Sequence, residues 1–343
     1  MVNVGIINVT SYMGAELVRL LHPHPAVRIT SVTGRSAAGK PLGEVFPHLS
    51  RMGLVVQERL DDDVEFVFSA LPQVASAEQC LPFIRRGTKV VDISADFRLK
   101  DPAEYREWYG AEHPAPDLLE ATVYGLTELN REAVAAAGVV ANPGCFPTGA
   151  ILALAPAFKA GLIEPDIIVD GKTGISGAGR GLGLGYHFGE ANENVSAYAL
   201  KGHRHLPEMT QELSRLCEAP RPRITFTPHL IPMSRGILST CYATLKPEAL
   251  EGDAEARLRE VYEEFYRDEP FVQVTSAPPQ TKQTQGTNCC LVYPQLDKRT
   301  GRLIALSAID NLVKGGSGQA VQNMNLMLGF PETMGLDRLA VYP

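Results

Sequence analysis

The feature that most constrains this chain is the alternation of short apolar runs with helical stretches near its start. Residues 2–9, 27–32, 64–72 and 89–94 read as buried strands, and residues 15–21 repeat apolar side chains at helical spacing. Strands alternating with helices imply a parallel sheet with right-handed crossovers, so a Rossmann-like, doubly wound α/β unit is expected first. Beyond it, strand runs over 223–245 and 287–310 flank a charged helical stretch at 251–267. That succession predicts a mixed α+β second domain. A length of 343 residues suits two domains of about 150 residues each.

The first apolar run leads through Thr10-Ser11-Tyr12-Met13-Gly14 into a helix. In a strand–loop–helix of this kind, backbone N–H groups at the helix N-terminus can hold the pyrophosphate of a dinucleotide. Gly14 stands where the closing glycine of that signature belongs, but Asn8 and Ser11 occupy the earlier glycine places. Asn tolerates the left-handed conformation such a turn needs, whereas Ser11 adds a side chain where the ligand approaches. A plain βα turn is the alternative. Arg35 and Ser36 follow the second strand. A cation and a hydroxyl there suit a 2′-phosphate, which favours NADP over NAD, against the alternative of a solvated arginine. Leu71 and Pro72, which close the next run, are also assigned to the cofactor. Past the strand at 89–94, Ser94-Ala95-Asp96-Phe97-Arg98-Leu99 places an acid and a base at a strand's carboxyl end. They are either a substrate contact or an internal ion pair.

The stretch Asn142-Pro143-Gly144-Cys145-Phe146-Pro147-Thr148 follows an apolar run, 133–141, that a strand could end, and precedes another, 149–158, that reads as a buried helix. Cys145 is thereby expected at a strand-to-helix joint, on a turn stiffened by two prolines and loosened by one glycine. The positive end of the helix dipole favours the thiolate, the nucleophilic form; a buried structural cysteine is the alternative. Downstream, glycines crowd into residues 174–183 around Arg180, as an ordered loop against an anionic ligand or as a linker. Then comes Lys201-Gly202-His203-Arg204-His205-Leu206-Pro207-Glu208, with Pro207 and Glu208 where a helix begins. The two histidines could be a metal pair, a surface patch, or a general base beside its neighbour. No further Cys/His cluster completes a zinc site, so metal is the weakest of the three, and a thiol needs only one imidazole as base. Near the end, Asp310-Asn311-Leu312-Val313-Lys314-Gly315 approaches a helix at 319–328 rich in Met, Asn and Gln.

Bulk properties exclude other classes. A net charge of −7 without a basic run argues against nucleic acid as a partner. No charged leader is seen at the N-terminus, and no apolar run approaches the roughly 20 residues of a membrane span. The six cysteines, at 80, 145, 217, 241, 289 and 290, have neither disulfide-framework density nor CxxC spacing, which fits a reducing cytoplasm. Cys289 and Cys290 lie in a strand pattern and read as packing.

Together, Ser94–Leu99, Tyr124-Gly125-Leu126, the Cys145 stretch, Ser176-Gly177-Ala178-Gly179-Arg180, His203-Arg204-His205-x-Pro207-Glu208 and Asp310–Gly315 resemble the type 1 N-acetyl-gamma-glutamyl-phosphate reductase family over nearly the whole chain. The resemblance implies a fold related to aspartate-semialdehyde dehydrogenase. Its dinucleotide domain would span 1–144, completed by 312–343 with the C-terminal helix returning to it, and its catalytic and oligomerisation domain 145–311. It implies NADPH-dependent reduction of an acyl phosphate in arginine biosynthesis, with release of inorganic phosphate. Cys145 would form a thioester, with His203 or His205 moving the proton. Thr10, Ser11, Tyr12, Gly14, the Ser176 to Gly179 loop and Asn311 would hold NADP(H), and Arg98, Arg180, Arg204 and Asn142 the substrate. A cytoplasmic homo-oligomer, dimer or tetramer, without a metal is implied. The departure from the family pattern is at Asn8 and Ser11, which stand where the family usually shows glycines. The alternatives are a carrier-protein-linked or aminoadipyl-phosphate reductase of lysine biosynthesis, or a non-catalytic NADP-binding regulator.

Overall fold

The short apolar runs of the first unit become seven strands: β1 (Val2–Ile7), β2 (Val27–Thr33), β3 (Val56–Gln57), β4 (Phe66–Ser69), β5 (Lys89–Asp92), β6 (Val123–Tyr124) and β7 (Val139–Ala141). They pair in the order β3-β2-β1-β4-β5-β7-β6, every pairing parallel. All of β4 is buried, as a parallel strand covered on both faces must be. Helices α1 (Tyr12–Leu21), α2 (Leu42–Val45), α3 (Ser76–Arg85), α4 (Pro102–Tyr109) and α5 (Thr127–Ala136) connect the strands. In α1, Leu17, Val18, Leu20 and Leu21 supply the buried stripe. Cys80, on α3, is core packing with Val67, Val90 and Phe97. This computed structural model describes residues 1–216 and 220–343, so Cys217 lies outside the described residues. The first unit comprises residues 1–144 and 316–338; the second comprises 145–315 and 339–343. One strand is shorter than its sequence suggests. The run over 133–141 ends α5 at Ala136, and only Val139–Ala141 is extended, because alanines continue a helix without cost until the chain turns at Ala137 and Gly138.

In the second unit, α6 (Cys145–Lys159) is buried at every residue from Phe146 to Phe158. Its sheet has β8 (Ile163–Thr173), β9 (Ser196–Ala197), β10 (Arg223–Leu230), β11 (Ile237–Leu245), β12 (Val272–Val274), β13 (Cys290–Asp297) and β14 (Arg302–Ile309). The order is β12-β13-β14-β11-β8-β10-β9, antiparallel along β13-β14-β11-β8 and parallel between β8 and β10. Helices α7 (Phe188–Ala191), α8 (Leu206–Ser214) and α9 (Ala254–Phe265) complete the unit. Helix α6 lies on one face of the sheet, where a Cβ on Gly149 would come within 2.9 Å of Ser307 Oγ and 3.2 Å of Ser239 Oγ. Because side chains alternate along a strand, Leu238, Thr240, Tyr242, Ile304, Leu306 and Ile168 belong to the opposite face. Ile168 there is 43% exposed.

The chain re-enters the first unit through α10 (Gly318–Met327), whose polar composition is matched inside the protein. Gln319 donates to Thr127 Oγ1, Asn323 to Gly125 O, and Asn325 to the carbonyls of Glu332 and Met334. A buried helix can be this polar only when most of its amide groups find such partners; Gln319 Oε1 is the buried exception among the described residues. No helix among the described residues is long and apolar enough to cross a membrane.

Candidate active site

The nucleotide end of the first unit is built around Asn8. Its backbone has φ 65°, the left-handed turn a glycine would otherwise supply. Its Nδ2 donates to Ala70 O at 2.9 Å, and its backbone N–H to Thr33 Oγ1 at 3.3 Å, so one residue joins the carboxyl ends of β1, β2 and β4. Strands β1 and β4 are neighbours at the point where the sheet order reverses, the place where open α/β sheets receive ligands. Ser11 caps α1 by accepting from Gly14 N at 2.9 Å, and its own hydroxyl donates to Asn8 O. Gly14 leaves no room for a side chain: a Cβ there would stand 2.5 Å from Asn8 O. Tyr12, Arg35, Ser36 and Pro72 are exposed around this edge, and Thr10 and Leu71 half-buried. A left-handed turn, a close-packed glycine and an uncovered helix N-terminus fit a dinucleotide pyrophosphate.

Beside this edge, Asp96 is wholly buried and accepts from the backbone N–H groups of Val74 at 2.6 Å, Ser76 at 3.0 Å and Ala77 at 2.9 Å, and from the Tyr105 hydroxyl. It thus caps α3 from outside and holds the loop in which Val74 sits at φ 73°. Arg98, 6% exposed, donates Nε to Asn142 O and Nη2 to Ile93 O. Asn142 donates to Gly316 O and accepts from Asn323. These polar groups shape the turn that precedes the cysteine.

Cys145 is half-buried as the first residue of α6. A Cβ on Gly315 would come within 2.9 Å of Cys145 Cβ, so a glycine is required beside the cysteine. The next residue, Phe146, lies over Gly171 and packs edge-on against both histidines, with ring centroids 5.8 Å from His203 and 6.1 Å from His205. The two imidazoles are 4.7 Å apart. His203 is ringed by Phe146, Tyr198 and Phe226, and burial, followed by the charge of Arg204, pushes its pKa down to about 4. The Tyr198 phenol is pushed up, first by burial and then by the nearby Cys145 sulfur. His203, Arg204, Tyr198, Tyr186, Ser196 and Thr173 are among the residues lining a cavity of about 550 Å³, to which Gly177 and Ala178 also contribute. Arg180 is exposed on the same glycine-rich segment. Asn311 is wholly buried, with Oδ1 accepting from Gly236 N at 2.8 Å and Nδ2 donating to Ser176 Oγ at 3.0 Å, which fixes the Ser176 loop. Sequence alone singles out the cysteine, the histidines and Arg204. It misses Tyr198 and Tyr186, because isolated aromatics outside the long elements carry no periodic signal, and Phe226, because within β10 it reads only as strand content.

Two family models cover most of the chain: the semialdehyde dehydrogenase NAD binding domain over residues 3–137 and the semialdehyde dehydrogenase dimerisation domain over 145–311. The N-acetyl-gamma-glutamyl-phosphate reductase of Dehalococcoides mccartyi (strain CBDB1) is 55% identical over 99% of this chain and 98% of its own. The chain belongs to the N-acetyl-gamma-glutamyl-phosphate reductase family. The reductase of that name from Pelotomaculum thermopropionicum is 50% identical over 100% of this chain and 99% of its own. Membership makes this chain an oxidoreductase with a nicotinamide-cofactor domain. The fold of this reductase is also that of aspartate semialdehyde dehydrogenase II complexed with ASA from Vibrio cholerae, with a TM-score of 0.69 at 16% identity, covering 96% of this chain and 98% of the other. The Candida albicans aspartate semialdehyde dehydrogenase with NADP gives 0.70 at 15% identity, with coverages of 96% and 98%.

Proposed function

We propose that this reductase converts N-acetyl-L-glutamyl 5-phosphate to N-acetyl-L-glutamate 5-semialdehyde and phosphate, using NADPH, as a step in arginine biosynthesis. The observation that carries the chemistry is Cys145 at the head of a buried helix, with Phe146 touching both histidines. One imidazole takes the thiol proton, and Sγ attacks the acyl carbon. The carbon–oxygen bond to phosphate breaks, phosphate leaves with the electron pair, and a thioester remains on Cys145. Reduced nicotinamide, when bound, supplies hydride. The carbon–sulfur bond then breaks, its electron pair returns to Sγ, and the semialdehyde is released. An acid/base group positioned for these transfers contributes about 10²–10⁴-fold. Arg204, on the cavity wall, suits the substrate's carboxylate or phosphate, with Arg180 close in sequence to the same loop. Arg98, Asn142 and Asn311 act one step removed, by holding the Cys145 turn and the Ser176 loop. Arg35 and Ser36 are the residues that favour a 2′-phosphate, hence NADP.

The test is the reverse reaction: phosphate-dependent reduction of NADP with N-acetylglutamate semialdehyde is expected in the intact chain and absent in Cys145→Ala. Activity that survives the substitution removes the nucleophile, and equal use of NAD removes the Arg35 argument.

A homo-oligomer is part of the same reading. The sheet face opposite α6 carries Ile168, Tyr242 and Ile304 in one cross-strand row and Asp170, Thr240 and Leu306 in the next, so an apolar row lies beside a polar one, a mixed face that a second copy would cover. The described cysteines are thiols, which suits work in a reducing cytoplasm.

A further inference from the structure

We propose that the two histidines have separate and fixed roles: His203 is a permanently neutral donor, held as the Nε2–H tautomer to stabilise the oxygen of the acyl group as it becomes an oxyanion, and His205 alone exchanges protons with Cys145. The inference rests on the thioester reading above. Its ground is one hydrogen bond. The backbone N–H of His205 donates to His203 Nδ1 at 3.1 Å. A backbone N–H can only donate, so Nδ1 must carry a lone pair and the ring proton must be on Nε2. In that state His203 has no nitrogen left to receive a proton. Among the described residues nothing accepts from its Nε2–H, and the side chain lines the cavity. A donor without a protein acceptor, facing a space that admits substrate, is matched by an oxygen brought by the substrate.

The surroundings oppose protonation from each side. Phe146, Tyr198 and Phe226 flank the ring at centroid distances of 5.8, 5.7 and 5.3 Å and give an imidazolium no polar partner on those sides. The charged or titratable groups nearest to it are Arg204, which repels a second positive charge, the His205 ring at 4.7 Å, and Tyr198, whose phenol stays neutral. A proton on Nδ1 would also point at the His205 N–H and break the bond that orders the turn. Placed this way, a neutral imidazole donates to a developing oxyanion at no cost in reorganisation, and it cannot quench the thiolate by giving up a proton to it.

Two measurements on the full chain decide the matter. With ¹⁵N-labelled histidine, His203 is expected to show the neutral Nε2–H pattern from about pH 5.5 to 8.5; a titration within that range, or an Nδ1–H pattern, overturns the proposal. The second is kinetic. His203→Leu is expected to lower kcat by about 10²–10³-fold, the usual loss for one oxyanion donor, with KM little changed. His203→Gln, which keeps an N–H donor, is expected to recover at least part of it. In both variants the pH dependence of Cys145 alkylation by iodoacetamide is expected to match the parent chain, whereas His205→Gln is expected to shift it. A shifted alkylation profile in His203→Gln overturns the assignment. Failure of the thioester reading itself is separate: no acyl adduct would then form on Cys145 in any variant.

Discussion

At Asn8 the backbone turns through φ 65° between β1 and α1, and the side chain uses that conformation to reach Ala70. Two separable energies are involved: the left-handed conformation, which costs an alanine about 1 kcal/mol, and the Nδ2 bond, worth about 1 kcal/mol. Asn8→Gly is expected to lose only the bond, and Asn8→Ala both, so NADP titration is expected to show several-fold weaker binding in the alanine variant than in the glycine one. Equal affinities would mean that the turn does not govern the cofactor loop. The same residue shows what a sequence can and cannot reveal. The tolerance of Asn for a left-handed turn is intrinsic and readable from the residue type; the partner of its amide lies 62 positions away and is not. Arg98, Asn142 and Asn311 make the point from the other side. Arg98 reads in sequence as a substrate contact or half of an ion pair, and Asn142 and Asn311 as ligand groups by resemblance; that their guanidinium and amides engage backbone carbonyls, amides and hydroxyls is legible only in the fold.

The loop from β4 to α3 is held by a single carboxylate, Asp96, which collects three backbone N–H groups and a phenol. Asp96→Asn would present an N–H to donors that need an acceptor and remove the charge from bonds worth about 1.5–3 kcal/mol each. A loss of roughly 3 kcal/mol is expected, seen as a lower thermal midpoint, together with faster amide hydrogen exchange at Val74 and Ser76; unchanged exchange at both would remove Asp96 as the organiser of the loop. The elements of the first unit were legible because buried parallel strands are continuous apolar runs, and α8 because Pro207 and Glu208 mark its start. The run over 133–141 was not, since alanine serves helix and strand alike and the boundary at Ala137 is set by tertiary pairing of β7 with β5. Helix α10 shows the same limit. Its Asn and Gln content does not mark it as buried, and only the distant partners in the first unit reveal why it is.

At the scale of the whole molecule, the proposed assembly is placed on the open face of the second sheet. Ile168, Tyr242 and Ile304 face one another in register across three adjacent strands. Placing a carboxylate in a covered apolar row costs several kcal/mol, so Ile168→Glu with Tyr242→Asp is expected to convert the proposed oligomer to monomers by sedimentation velocity, with the far-ultraviolet circular dichroism retained; an unchanged sedimentation coefficient would move the interface elsewhere. The opposite face has a different consequence. The cysteine proposed as nucleophile heads a helix buried continuously from Phe146 to Phe158, so its backbone is anchored as deeply as any part of the unit. The orienting entropy of Cys145 was therefore spent once, when the protein folded, and is not spent again at each turnover. On the proposed chemistry the cysteine is, in mechanical terms, the stator: adjustment to a substrate would fall to the exposed glycine-rich strip around Gly177–Gly185, and variation in that strip would retune which acyl group is admitted while the sulfur stays where the core has set it.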